Sequence, residues 1–79
     1  MDEIKRTITT KALIQRINRK LKKEYQALRK SRGYREQQNL GEYYILDQYR
    51  NTIINSHVDI ESLGREIKVL GDWEVMSKD

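Results

Sequence analysis

Residues 9–32 read TTKALIQRINRKLKKEYQALRKSR. At 100° per residue, Leu13, Ile14, Ile17, Leu21, Tyr25 and Leu28 fall on one stripe, while Lys11, Arg16, Arg19, Lys20, Lys22, Lys23, Arg29 and Lys30 fall on the other side. The pattern predicts one long basic helix, apolar on the side of a core and cationic on the side of solvent. Thr9 or Thr10 is its N-cap, because a hydroxyl there accepts a bond from a backbone N–H left without a partner in the first turn. No Gly or Pro interrupts it before Gly33, a residue suited to the left-handed position just past a helix end. Glu24 opposes continuity, since it falls on the apolar stripe with Arg32 near it. The alternative is a break around Lys22 to Glu24, followed by an extended Tyr25 to Arg29.

Ahead of this segment, Met1 to Ile8 reads as a flexible lead-in, with an edge strand through Thr7 to Thr9 as the alternative. Behind it, residues 33–41, GYREQQNLG, are bounded by glycines, mostly polar and without period, and read as a loop anchored by Leu40. The chain's dense β-branched and aromatic clusters follow, Tyr43 to Leu46 and Thr52 to Ile54, and predict a hairpin. Asp47 and Asn51 bracket its turn, because an Asp side chain bonds the backbone ahead of it and Asn tolerates positive φ. Both faces of these strands are apolar: Tyr43 and Ile45 point one way, Tyr44 and Leu46 the other.

A second helix is predicted from about Ile60 to Leu70, with Asp59 as N-cap, Val58 and Leu63 as a hydrophobic staple, and Gly71 closing it. Trp73 is expected to fold back onto the core. The fold class that results is α+β: a long N-terminal helix, a small antiparallel hairpin extendable to three strands, and a C-terminal helix, forming a single domain over residues 1–79.

Composition narrows the function. At 79 residues, with 37% hydrophobic and 35% charged, the chain has enough apolar mass for one helix-on-sheet core. It has no cysteine, which excludes disulfides and thiolate metal sites. No apolar run exceeds Tyr43 to Leu46, so no membrane span is expected and a cytoplasmic setting is the default. The net charge of +4 divides unevenly: residues 1–40 carry 12 Lys and Arg against 4 Asp and Glu, and residues 41–79 carry 4 against 8. Such a chain binds a polyanion with its basic half or folds its acidic half back upon it.

The basic face carries the sharpest functional expectation. Arg16, Arg19, Lys20 and Lys23 are like charges at i,i+3 or i,i+4, each pair costing about 0.2–0.5 kcal/mol in an isolated helix. A nucleic-acid backbone, DNA or RNA, would neutralise them by counterion release, with Lys11, Arg29 and Lys30 extending the contact and Gln15 or Asn18 reaching base edges. The competing expectation is a face that is solvated or paired with Asp59, Glu61, Glu66, Asp72 and Glu74. The tyrosines Tyr34, Tyr43, Tyr44 and Tyr49 stand near Arg32, Arg35 and Arg50, and Tyr49 at the turn is the ring best placed to stack an unpaired base. The second function class is protein association, as a homodimer or as an inhibitor of a larger nucleoprotein complex. A hairpin apolar on both faces in so small a chain motivates it.

No catalytic constellation, phosphate loop or nucleophile elbow is present, and the lone His57 has no companion with which to hold a metal, so no enzyme activity, metal or cofactor is expected. DIESLGREIKVL, residues 59–70, is similar to a helix of a helix-turn-helix, but its outer face mixes Glu61 and Glu66 with Arg65 and Lys68, and no second short helix lies nearby. Taken together, ITTKALIQRINRKL (residues 8–21), GEYYILD (41–47) and HVDIESLGREIKVLGDWE (57–74) resemble a widespread family of short, functionally uncharacterised bacterial proteins. The resemblance implies one compact domain in a bacterial, plasmid or phage setting, and no activity.

Overall fold

The computed structural model describes residues 6–77. In chain order these form strand β1 (Arg6–Ile8), helix α1 (Thr10–Leu21), a 3-10 turn (Lys22–Glu24), strand β2 (Gln26–Lys30), helix α2 (Gly33–Leu40), strands β3 (Tyr43–Asp47) and β4 (Thr52–Asn55), helix α3 (Ile60–Glu66) and strand β5 (Glu74–Met76). The class is α+β, with β2, β3 and β4 in one antiparallel sheet and β1 paired in parallel with β5.

The first helix begins as expected, with the Thr9 hydroxyl accepting the Ala12 N–H at 3.1 Å. It does not continue to Arg32. Leu13, Ile17 and Leu21 are buried, and the next turn of that stripe would carry Glu24 into the core, so the helix tightens at Lys22–Glu24 and ends at Tyr25 with φ 59° and ψ 34°. Tyr25 supplies the left-handed residue past the helix end; Gly33 also takes a positive φ, 78°, but at the start of α2. Arg19 and Lys20 occupy the last turn of α1, where positive side chains suit the negative end of the helix dipole. The chain then turns back along α1 as β2, the alternative that Glu24 had signalled. Leu28 serves either period, so the helical stripe in the sequence runs on past the break.

The expected loop at residues 33–41 is a helix instead. α2 buries no residue, so no apolar period marks it. Local bonds hold it: the Arg32 N–H donates to Glu36 Oε1 at 2.9 Å, and Gln38 Nε2 to the Tyr34 hydroxyl at 2.7 Å. It ends at Gly41, where φ is 77° and an added Cβ would lie 2.7 Å from the His57 Cα.

The hairpin is as expected. Asp47 Oδ1 accepts the Tyr49 and Arg50 N–H groups at 3.0 and 3.1 Å, and Asn51 takes φ 55°. β2 joins it as a third strand, pairing Leu28 with Ile45, Arg29 with Tyr44 and Ala27 with Leu46, while Leu46 pairs with Ile53 of β4. Side chains alternate across a strand, so one sheet face carries Leu28, Tyr43 and Ile45 and the other Ala27, Arg29, Tyr44, Leu46 and Ile53. The first face is buried with Leu13, Ile17, Leu21, Ile60 and Leu70. Among the described residues no layer covers the second; the molecule measures 16 Å in its shortest dimension, the thickness of one helix on one sheet.

α3 starts on Asp59, whose carboxylate accepts the Glu61 and Ser62 N–H groups at 3.1 and 3.4 Å, and Val58 and Leu63 both pack on the core. It stops at Glu66, short of the expected Leu70, because Lys68 takes φ 64° and Val69 and Leu70 both donate to the Gly64 carbonyl. Leu70 nevertheless reaches the core. Gly64 lets α3 approach α1: a Cβ there would stand 3.0 Å from Leu13 Cδ1. Trp73 does not return to the core; it is 63% exposed, its ring lying against Gly71. Of the expected lead-in, residues 1–5 lie outside the described residues, and Arg6–Ile8 forms the edge strand that was the alternative. Among the described residues no helix is long and apolar enough to cross a membrane.

Candidate nucleic-acid interface

The basic residues expected on one helix face are divided by the fold among three places. Lys11, Gln15 and Arg19 lie at successive i,i+4 positions along the outer side of α1, and Lys20, Lys22 and Lys23 continue around its C-terminal end; all six are exposed. None of the five cations among them is ion-paired with a described carboxylate. Such pairs form at Arg16 with Glu74 and Arg65 with Glu61.

Arg16 and Asn18, which flank this outer stripe, turn inward. Arg16 Nη1 donates to Glu74 Oε1 at 2.8 Å and to the Val69 carbonyl at 3.1 Å. Glu74 is 6% exposed and also accepts the Gly71 N–H at 2.9 Å, while Arg65 donates to the Glu74 and Gly71 carbonyls. The Arg16 guanidinium first, and then the Gly71 N–H, hold the Glu74 carboxyl below its ordinary value of 4.5. This cluster ties α1 to α3 and β5, and Arg16 belongs to it structurally. The Asn18 carboxamide is likewise spent on the Leu28 backbone, which removes it from base contact. The acidic half of the chain does fold back on the basic half, but among the described residues it takes up Arg16 alone of the cations expected to bind.

Arg29 and Lys30 are exposed on opposite sides of β2. Lys30 shares the side of Leu28, at the end of the core, and Arg29 stands on the uncovered sheet face directly across from Tyr44. Tyr49 is 84% exposed at the hairpin turn, its ring centroid 6.4 Å from that of Tyr25, which is itself 68% exposed. The helical pattern had placed Tyr25 in the core; Glu24 beside it was the signal that the stripe had ended.

Comparison with protein-family models, with curated proteins and with solved structures gives no match. Among the described residues, no three His, Asp or Glu side chains gather as a metal site requires.

Proposed function

We propose that this chain is a small, non-enzymatic binding module that contacts the phosphate backbone of nucleic acid through Lys11, Arg19, Lys20 and Lys23, with Lys22 beside them and Gln15 central on the stripe. The observation that carries this reading is the absence of any carboxylate partner for these exposed cations among the described residues, although the chain carries 12 Asp and Glu. Their mutual repulsion is tolerated in the free protein and relieved when phosphates replace small counterions. Arg16 and Asn18 lie outside the contact. The cytoplasm, where nucleic acid is met, is the compartment proposed. Titration against a short duplex at low and moderate salt tests the proposal. Binding that weakens steeply with salt is expected, and no binding at low salt rejects it.

A second reading is association with protein, favoured by β4. All four of its residues are exposed, Ile53 and Ile54 at 45% each, and Thr52–Asn55 contains neither a charge nor a proline to deter another strand. A second copy of the chain, or a component of a nucleoprotein complex that the module inhibits, would pair there.

A further inference from the structure

At the edge of the sheet, beside the start of α2, two further cations, Arg29 and Arg32, line a groove together with the Tyr44 ring. Arg29 and Tyr44 are directly opposed across β2 and β3. Ser31 donates its N–H to the Glu42 carbonyl and Gln48 to that of Tyr25, so odd-numbered positions along β2 exchange backbone hydrogen bonds with β3. Arg29 and Tyr44 are therefore a hydrogen-bonded pair, with Cα atoms about 5.5 Å apart and side chains side by side. Where β2 gives way to α2, an open groove of about 610 Å³ runs around the β2 edge, lined by Arg29, Ser31, Arg32, Glu36 and Tyr44 and, from the core side of the strand, by Leu28 and Lys30. That is within the range of roughly 300–1,000 Å³ found for small-ligand clefts.

The charge in this groove is unbalanced. Arg29 and Arg32 are exposed and form no ion pair with a described carboxylate, and the one acid lining the groove, Glu36, is turned by its Oε1 toward the Arg32 backbone N–H. The floor is fixed, because the Ser31 hydroxyl donates to the Gly41 carbonyl and the Ser31 N–H to that of Glu42. Beyond the half-buried Tyr44 the same face continues through Ala27, Leu46 and Ile53, an apolar strip with no layer of described residues above it.

We infer that this groove binds single-stranded nucleic acid, with a phosphate held by Arg29 and Arg32 and an unpaired base laid on Tyr44. The inference takes its ligand class from the nucleic-acid reading above but places it on a different surface, on the far side of the sheet from α1. A duplex keeps its bases stacked inside and offers this face only phosphates, whereas an open strand supplies the anion and the planar ring that the cations and Tyr44 together accommodate. An acidic peptide satisfies the cations and leaves the ring unused.

Fluorescence anisotropy with a labelled oligothymidylate of roughly twelve nucleotides, a duplex of the same length and polyglutamate tests it. Tyr44→Leu and the double variant Arg29→Ala/Arg32→Ala are each expected to weaken single-strand binding by about tenfold. Tyr44→Phe retains it, and duplex binding changes less than twofold in all three. A bromouracil-substituted strand should photocross-link to Tyr44, a readout that does not depend on any variant's folding. Single-strand affinity unchanged in Tyr44→Leu and lost only on substituting Arg19, Lys20 and Lys23 overturns the inference and leaves the α1 proposal standing. Polyglutamate binding as tightly as the oligonucleotide also overturns it. Single-strand binding lost in the groove variants with no duplex binding in any protein upholds the inference and rejects the α1 proposal. No binding of either nucleic acid overturns both.

Discussion

The Asn18 side chain stands where a neighbouring strand would stand against Leu28: its Oδ1 accepts the Leu28 N–H at 2.7 Å and its Nδ2 donates to the Leu28 carbonyl at 3.4 Å. Leu28, an even-numbered residue of β2, points its peptide groups away from β3, and one carboxamide from α1 satisfies both. The β2 edge is thereby closed at its centre and α1 is fixed in register over the sheet. Asn18→Ala leaves a partly buried N–H and C=O unpaired and is expected to cost about 1–3 kcal/mol in urea unfolding. An unchanged midpoint would show that the helix, and not this bond, seals the edge.

Tyr25 gives the break in the first helix a measurable sign. In a Tyr49→Ala background, where the contact between the two rings is already gone, Tyr25→Gly relieves the left-handed strain and is expected to stabilise the protein by up to about 1 kcal/mol. In a continuous helix the same glycine would cost about 1 kcal/mol. Thermal unfolding of the two proteins distinguishes the cases.

These two residues also mark what could be read from sequence. Asp59, Thr9 and the hairpin at Asp47 and Asn51 were legible because capping and turn chemistry act within a few residues. The helix of residues 33–40 was not, since it buries nothing and leaves no period to find. β2 was ambiguous because one core residue, Leu28, satisfies both a helical and an alternating pattern. At the candidate interface, side-chain type marked the cations but could not tell those that face solvent from those that turn inward. Arg16 and Arg19 are alike in sequence, and only the return of Glu74 beneath α1 separates them.

That separation has a pH signature. The folded-state pKa of Glu74 lies below its ordinary value of 4.5, so its contribution is complete above that value and is lost as pH falls through the lowered one. Acid unfolding of Glu74→Gln should therefore show a shallower fall in stability below pH 4.5 than the parent protein. Arg16→Ala is expected to lower the unfolding midpoint at neutral pH, whereas Arg19→Ala changes it little, since the dipole interaction it loses is offset by relieved repulsion. Equal effects of the two would place Arg19 in the same cluster.

The β4 edge makes the association reading testable. Leu46 directs its peptide groups at β2, so those of Ile53, its partner, point away from the sheet toward solvent. Sedimentation at micromolar concentration should then reveal a dimer, and Ile53→Lys should dissociate it by placing charge on the edge. A monomer at every concentration removes self-association and leaves only a different protein partner.

The most direct test of the central claim compares the salt dependence of duplex binding in the parent protein and in Arg19→Ala/Lys20→Ala/Lys23→Ala, with Arg16 left in place. If these side chains meet phosphates, log K falls linearly with log salt at about 0.9 per phosphate, and the triple variant loses roughly 2–3 from that slope along with most of its affinity. Its unfolding midpoint changes little, because relief of like-charge repulsion, about 0.2–0.5 kcal/mol per pair, offsets the lost interaction of Arg19 and Lys20 with the helix dipole, about 0.3–1 kcal/mol each. A variant that keeps the parent's slope, or that loses stability in step with affinity, would contradict the account.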